Sequence, residues 1–214
     1  MKEYLTLKET GTDAFVEKKS RFLGTAAPVH TREEAEAFAT QVKKQYWDAK
    51  HNVSAYVLRT GEQHCSDDGE PQGTAGVPVL NVLLKNNVTD AAVVVTRYFG
   101  GVLLGTGGLV RAYSHGASIA LQRAKILRMK PCLLLQAACT YSQYGRVAAL
   151  VAEAGAVVDD TRFTDSVTLQ FHMEAGKLLA LETALANATA GSVQVQQYGE
   201  DFFPLEVPFQ ETKL

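Results

Sequence analysis

Apolar positions along the first 130 residues switch between strand-like and helix-like spacing. Thr31, with Glu34 three residues later, forms a capping-box pattern just before apolar residues at helical spacing, and this predicts the start of a helix. Residues 91–99 are a continuous apolar run, which is typical of a central strand covered on both faces. The predicted elements are a strand over 22–29, a helix over 32–47, a strand over 53–58, a helix over 75–85, the strand over 91–99 and a helix over 108–124.

The pattern becomes more regular beyond Lys130-Pro131, where we place the joint between two domains. The predicted elements there are a strand over 132–140, a helix over 143–154, a hairpin of strands over 156–163 and 166–173, a helix over 177–188 and a strand over 192–198. This β-α-β-β-α-β order is that of the ferredoxin-like fold. We therefore predict an α+β protein with domains over 1–130 and 131–214. The tail over 201–214 either packs as an extended segment or is mobile.

The composition of the 214-residue chain is that of a globular protein, with 46% hydrophobic and 21% charged residues. Apolar runs stay below the roughly 18 residues that a membrane helix needs, and the first residues lack the apolar segment of a signal peptide. We therefore expect a cytoplasmic protein. The three cysteines, Cys65, Cys132 and Cys139, form no Cys-x-x-Cys pattern, and neither a metal nor a cofactor is predicted.

Charge is distributed unevenly between the two predicted domains. Residues 1–130 carry 17 Lys and Arg against 13 Asp and Glu, a net charge of +4, whereas residues 131–214 carry 4 against 10, a net charge of −6. The change of sign indicates two domains with different partners. A net charge of +4 is mild for a protein dedicated to nucleic acid, so the charge alone identifies no partner.

Five glycines follow the predicted central strand and lead into a helix: Gly100, Gly101, Gly105, Gly107 and Gly108. Glycines permit close approach to the backbone, and a helix N-terminus offers unpaired N–H donors, so the segment suits an anion such as a phosphate. Arg97 and Arg111 flank the glycines and would add bidentate contacts. The spacing matches neither a Walker A nor a dinucleotide-binding motif. The alternative is that the glycines only form tight turns and that the arginines pair with nearby carboxylates.

Those carboxylates, Asp67, Asp68 and Glu70, lie in a loop rich in glycine and proline. Carboxylates hold Mg²⁺ or act as acid and base in many sites. Carboxylates this close in sequence more often cap turns and pair with arginines, and we favour that interpretation here. No metal site is therefore assigned to this loop.

Aromatic residues and one histidine complete the set of candidates. Tyr98, Phe99 and Tyr113 would stack on nucleic-acid bases, although we favour a core role for Phe99 and Tyr113. His51 stands alone in the sequence and by itself indicates no function. No Ser-His-Asp or Cys-His arrangement can be assembled, so no catalytic residue is assigned.

These motifs together resemble the IMPACT family, and in particular its bacterial members of the YigZ type. The resemblance is carried by Ser66-Asp67-Asp68-Gly69-Glu70-Pro71, Gly73-Thr74-Ala75-Gly76, Arg97-Tyr98-Phe99-Gly100-Gly101 and the run from Leu104 to Tyr113, with Lys19-Ser20-Arg21-Phe22 as an opening motif. It covers about 15–125. The remainder resembles the C-terminal domain of unknown function of that family, which is itself similar to the last domain of elongation factor G. One departure is Val53, where the family often has a cysteine, so a thiol-dependent role there is not expected.

The resemblance implies both a fold and a role. The first domain is expected to be an α/β sandwich like the second domain of ribosomal protein S-five, and the second domain to be ferredoxin-like. The family implies a role in translation or its regulation, with nucleic acid or the ribosome as the suspected partner, and it implies no enzymatic activity.

Three hypotheses about function follow. The leading one is a cytoplasmic, translation-associated protein that holds RNA phosphate at the start of the helix near Gly105–Gly108. The residues assigned to this anion site are Lys19, Arg21, Arg97, Tyr98, Gly100, Gly101, Gly105, Gly107, Gly108 and Arg111. The alternatives are an enzyme acting on a small phosphorylated metabolite, with Asp67, Asp68 and Glu70 supplying the chemistry, and an adaptor that binds proteins through its acidic domain.

Overall fold

The computed structural model describes residues 2–206 and shows an α+β protein, with two antiparallel sheets and five α-helices in that part of the chain. Backbone contacts divide the chain into two compact units, one formed mainly by Tyr4–Arg128 and the other mainly by Met129–Pro204. We call them the first and the second unit. Within residues 2–206, no helix combines the length and the apolar character that crossing a membrane requires.

The first unit is a five-stranded sheet with helices on both faces. Its elements are β1 (Tyr4–Leu7), β2 (Gly11–Glu17), β3 (Ser20–Pro28), α1 (Arg32–Gln45), β4 (His51–Val57), β5 (Gln63–Ser66), α2 (Gly76–Lys85), β6 (Ala91–Tyr98) and α3 (Thr106–Ala124). The strand order is β2-β3-β6-β4-β5. Val93 and Val95 of β6 pack into the main core with α2 and α3, whereas Ala92 packs into a smaller core with α1. The expectation of a central strand covered on both faces is therefore confirmed.

The second unit has the β-α-β-β-α-β order expected from the sequence. Its elements are β7 (Ile126–Cys139), α4 (Tyr141–Glu153), β8 (Val157–Phe163), β9 (Val167–Met173), a short 3₁₀ turn (Ala175–Lys177), α5 (Leu178–Thr189) and β10 (Val195–Glu206). In the sheet, β9 lies between β7 and β8, while β10 also pairs with β7. The part of the tail over 201–206 belongs to β10, and the rest of the expected tail lies outside the described residues.

The structure differs from the sequence prediction at Lys130-Pro131. The predicted joint lies inside β7, which runs unbroken from Ile126, whereas a strand had been predicted only from Cys132. The division in backbone contacts falls between Arg128 and Met129. Proline lacks the N–H that a sheet ladder uses, and Pro131 precedes the first pair of β7 with β9, Leu133 with Met173. The strand therefore tolerates a residue that sequence reasoning takes as a break.

Other elements were missed for local reasons. Strand β2 pairs with β3 through a two-residue turn of Lys18 and Lys19, which have φ values of 44° and 65°. Such turns usually carry asparagine or glycine, so two lysines gave no turn signal. Short β1 and β5 were also missed. Thr31 caps α1 as predicted, by accepting the Glu34 N–H at 3.2 Å, but the Glu34 carboxylate accepts from the His30 N–H instead of closing the box on Thr31.

Close packing of β3 against α3 fixes the first unit. A Cβ atom added to Gly24 would lie 1.9 Å from the carbonyl oxygen of Gly116, so only glycine lets the two backbones approach this closely. Gly145, in the exposed surface of α4, has nothing within 4 Å of such a Cβ.

We predict that Gly24→Ala destabilises the protein by about 2–3 kcal/mol, because backbone atoms must move to admit the methyl group. Gly145→Ala is the control and should stabilise by about 0.5–1 kcal/mol through helix propensity. Urea denaturation followed by circular dichroism checks both, and a Gly24→Ala variant as stable as the wild type would contradict the packing argument.

Candidate functional site

A buried ion pair lies where β6 ends. Arg97 Nη1 donates to Glu70 Oε1 at 2.6 Å, and the two side chains are only 6% and 4% exposed. The Tyr113 hydroxyl of α3 donates to the same carboxylate oxygen at 2.7 Å. His51 Nε2 of β4 lies 3.8 Å from it. We call these four residues the Glu70 cluster; it joins the acidic loop to two strands and a helix.

Arg97 makes further contacts. Its Nη2 lies 3.5 Å from Ser20 Oγ, which accepts the Gly100 N–H at 3.2 Å. Its guanidinium lies 5.5 Å from the Phe22 ring centre and 5.4 Å from that of Phe99, within cation–π range. The Nε atom is buried and has no hydrogen-bond partner among the described residues. Since Glu70 neutralises the guanidinium, Arg97 is not a free cation, and of the three expected carboxylates it is Glu70 that pairs with it.

Tyr113 is fully buried, as the core interpretation predicts, but it also has a polar role. Burial raises the pKa of its phenol far above the usual range, and the hydrogen bond to Glu70 raises it further. Tyr113 therefore stays protonated and remains a hydrogen-bond donor to Glu70 at all accessible pH values. The hydroxyl holds α3 against the acidic loop.

Asp67 organises the loop before α2. Its Oδ1 accepts the N–H groups of Ala75 and Gly76 at 3.1 and 2.8 Å, and its Oδ2 accepts that of Gly73 at 2.8 Å. Burial disfavours its charge, but the three N–H donors outweigh burial and lower the pKa of Asp67. The turn-capping interpretation fits Asp67, which lies outside the cavity described below.

Asp68 acts as a second structural link. Its Oδ2 accepts the Asn52 N–H at 2.6 Å, and its Oδ1 pairs with Lys43 Nζ at 2.8 Å. Its carbonyl oxygen lies 2.8 Å from His51 Nδ1. Across residues 2–206, no group of three or more His, Cys, Asp or Glu side chains is placed to hold a metal ion.

His51 is the residue that sequence reasoning underrated. A carbonyl oxygen only accepts, so the bond to Asp68 places a proton on Nδ1 and leaves Nε2 as an acceptor in the neutral ring. No sequence signal links His51 to Glu70, which lies 19 positions away beyond another strand. The pairing of β4 with β6 places His51 opposite Arg97 and so brings the residues together.

The N-terminus of α3 is open. The helix begins at Thr106, two residues before the predicted start, and its N-cap is Gly105 with a φ of 73° and no side-chain cap. The first turn contains no acidic residue. A Cβ on Gly107 would lie 3.7 Å from Arg111 Nη1, so the guanidinium lies beside this turn. The positive end of the helix dipole and a cation therefore face the same space.

Two exposed cations lie beside this helix end. Lys18 and Arg111 line one cavity of about 470 Å³ together with Gly108. The Lys19 backbone lies against Gly100, where a Cβ would come within 2.0 Å of it. We call Lys18, Lys19, Arg21 and Arg111 the basic rim; among the described residues, none of the four has an ion-pair partner. Of the predicted anion site, Gly107, Gly108 and Arg111 lie at the helix start and Gly100 lies against Lys19, whereas Arg21 lies opposite Tyr98 in the β3–β6 pairing.

Two predicted residues contribute differently from expectation. The Tyr98 hydroxyl donates to Asp48 Oδ1 at 2.8 Å. Burial is the main cause that raises the pKa of Tyr98, and this hydrogen bond raises it further. Phe99 is 49% exposed, so the expectation that it fills the core is wrong. Gly101, with a φ of 83°, has nothing within 4 Å of an added Cβ, so its role is to permit the turn.

A second cavity, which we call the α3 cavity, occupies the other side of the helix start. It has a volume of about 350 Å³. His51, Glu70 and Arg97 supply its buried polar groups, and Gly105 and Thr106 bring the helix end to it. The rest of the lining is the Lys50 side chain and apolar residues, Phe99, Leu103, Leu104, Leu109 and Pro71. The Glu70 cluster therefore has access to a ligand-sized space.

We predict that Asp67→Asn destabilises the protein by about 1–2 kcal/mol at neutral pH, because the amide places N–H groups against the Gly73 N–H. The lowered pKa of Asp67 means that its contribution is present above the unfolded-state pKa and is lost as the pH falls through the folded-state pKa. The variant should therefore lose less stability on acidification than the wild type. Urea denaturation at several pH values measures this, with exposed Asp165→Asn as the control.

We predict that Glu70→Gln destabilises by about 3 kcal/mol, because it leaves the buried Arg97 charge unpaired. Tyr113→Phe should destabilise by only about 1.5 kcal/mol, because the ion pair survives the loss of one donor. Thermal and urea denaturation of both variants check the order. A Tyr113→Phe variant less stable than Glu70→Gln would show that the hydroxyl, not the ion pair, holds the cluster.

Comparison with known proteins agrees with the motifs. The model of the Impact N-terminal domain matches residues 18–121, and a model described as a domain of unknown function, DUF1949, matches residues 138–192. A solved structure described as the crystal structure of a hypothetical protein is similar with a TM-score of 0.59 and 33% sequence identity, over 93% of this chain and 98% of that chain.

Two bacterial relatives match over most of their length, whereas a human relative matches over less than a third of its own. IMPACT family member YvyE of Bacillus subtilis is 36% identical over 91% of this chain and 90% of its own length. IMPACT family member YigZ of Escherichia coli is 36% identical over 83% of this chain and 89% of its own. Protein IMPACT of Homo sapiens is 33% identical over 42% of this chain and 29% of its own. The chain belongs to the IMPACT family.

Proposed function

We propose that the first unit binds RNA, free or within the ribosome, in a translation-related role. The observation that carries this proposal is the uncapped N-terminus of α3 beside Arg111, with Lys18 lining the same cavity as Arg111. Backbone N–H groups at a helix start and arginine side chains are common ligands of phosphate groups. The translation role itself rests on the family resemblance.

The cations divide into two groups in this proposal. The four residues of the basic rim are exposed and contact phosphates directly. Arg97 does not, because it is buried and paired with Glu70; it fixes the loop from which the helix starts. Salt-dependent release of counterions is the expected mark of contacts of the first kind.

One other candidate has a specific observation in its favour. An enzyme acting on a small phosphorylated metabolite would use the α3 cavity, where Glu70 and His51 are the available acid–base groups. Asp67 and Asp68, which the sequence offered for that chemistry, are engaged in structural bonds instead. The adaptor hypothesis rests on the net charge of residues 131–214 alone.

We predict that a single-stranded RNA of about 20 nucleotides binds at low salt and is released as salt rises. Lys18→Asn with Lys19→Gly removes two charges and keeps the turn geometry, and Arg111→Ala removes a third. The triple variant should bind at least about 10-fold more weakly and lower the slope of log K against log salt by about 2, since each single-strand phosphate contact contributes about 0.7. Fluorescence anisotropy measures both quantities.

The matched control is Lys44→Ala, Lys85→Ala and Arg146→Ala, which removes the same charge from exposed positions outside the basic rim. It should keep most of the affinity and the salt slope. Equal weakening of RNA binding by both triple variants would show that the effect comes from net charge alone. An absence of RNA binding at low salt would refute the proposal.

A further inference from the structure

We infer that the α3 cavity binds a single 5′-phosphorylated nucleoside, either the first nucleotide of an RNA or a free nucleoside 5′-monophosphate. As far as RNA is concerned, this inference rests on the proposed function and deepens it. The cavity itself is defined by buried polar groups that the basic rim does not use.

The phosphate group has a place at the helix start. Gly105 and Thr106 belong to the uncapped turn of α3 and line the cavity, as does Lys50. The N–H groups of this turn and the positive end of the helix dipole favour a dianion over a neutral hydroxyl. A terminal phosphate carries more charge than a phosphodiester, so the preference should be for a chain end.

A second, independent observation points to a ligand. Arg97 lines the cavity, its side chain is more than nine-tenths buried, and its Nε donor has no partner among residues 2–206. A buried donor without an acceptor is unfavourable, and the great majority of such groups are satisfied in folded proteins. A bound group that carries a hydrogen-bond acceptor would remove this deficit by displacing the side chains that now cover Nε.

The remaining polar groups suit the edge of a base. His51 offers Nε2, an acceptor in the neutral ring and a donor in the protonated ring, in an orientation set by Asp68, and Glu70 is an acceptor held by Arg97. The cavity thus presents donors and acceptors together, as the Watson–Crick edge of a base does. A simple anion such as inorganic phosphate would use only part of this set.

Apolar surface next to these groups suits a flat ring. Phe99 is 49% exposed, and its ring lies over the Arg97 guanidinium at 5.4 Å, which limits its freedom before any ligand binds. Leu103 is 81% exposed. Aromatic side chains of this kind stack on bases in single-strand binding proteins.

The volume and the surroundings limit the ligand to one nucleotide. At about 350 Å³ the cavity lies at the small end of the range for small-molecule sites. The turn that borders it continues through Gly108 and Arg111 into the cavity beside Lys18. An RNA whose first nucleotide occupied the α3 cavity would therefore lead its next phosphates onto the basic rim.

The experiment compares three probes by isothermal titration calorimetry at one salt concentration. They are a 10-nucleotide RNA with a 5′-phosphate, the same RNA with a 5′-hydroxyl, and free adenosine 5′-monophosphate. We expect the phosphorylated RNA to bind at least about 10-fold tighter than the hydroxyl RNA, and the free nucleotide to bind saturably.

Variants separate the cavity from the basic rim. Phe99→Ala and Lys50→Ala should abolish the preference for a 5′-phosphate while retaining affinity for the hydroxyl RNA, and Phe99→Tyr should restore it. The rim variant of Lys18, Lys19 and Arg111 should weaken both RNAs by a similar factor and leave their ratio unchanged. Circular dichroism confirms that each variant is folded.

The outcomes distinguish this inference from the proposed function. Saturable binding of the free nucleotide that Phe99→Ala removes, without RNA binding, would support the cavity with a free ligand and refute the RNA proposal. RNA binding without preference for a 5′-phosphate and without binding of the free nucleotide would overturn this inference and leave the RNA proposal in place. A preference that survives both cavity variants would also overturn it.

Discussion

The ion pair between Arg97 and Glu70 is the contact on which the arrangement of the site depends. A buried ion pair is weak evidence for stability, because desolvation of both charges offsets much of their attraction. Its effect here is positional. It joins the end of β6 to the acidic loop, while Tyr113 ties α3 to the same carboxylate and Ser20 ties β3 to the arginine. The end of β6, the acidic loop, α3 and β3 are thus held together by contacts to this one ion pair.

The Arg97–Glu70 ion pair also positions the glycine-rich loop over 100–105, between β6 and α3. Its first residue, Gly100, donates to Ser20 and lies against the Lys19 backbone, so the loop and the lysine turn hold one another. Helix α3 begins at Thr106, and its N-cap Gly105 leaves the first N–H groups without a side-chain cap. The three carboxylates of the acidic loop are bonded elsewhere: Asp67 to the loop before α2, Asp68 to β4 and Lys43, and Glu70 to Arg97. None of these three carboxylates therefore caps the positive end of α3.

The sequence predicted most of the elements and the family, because periodicity, caps and a long motif are local signals. Sequence reasoning failed for features that depend on contacts between residues distant in the sequence, or on a turn without its usual residues. The two lysines of the β2–β3 turn carry positive φ without the residues that usually mark it. His51 had no signal of its own, because its meaning comes from the β4–β6 register and the carbonyl of Asp68. The pairing of Arg97 was one of three alternatives, and only the packing of the loop selects Glu70.

The ion pairs of the structure also change how the charge imbalance between the two halves of the chain is interpreted. The net charge of +4 over residues 1–130 sums many cations that the fold already neutralises, since Lys43 pairs with Asp68, Lys125 with Glu9 and Arg97 with Glu70. What an anion meets is therefore not the average charge but the exposed cations left without a carboxylate. Lys18 and Arg111 of the basic rim lie beside the start of α3, which has no side-chain cap, so the local potential there differs from what the modest total suggests. A mild net charge is then compatible with a local anion site, because Asp67, Asp68 and Glu70 hold the scaffold, although Glu17 lines the same cavity as Lys18 and Arg111 and partly screens them.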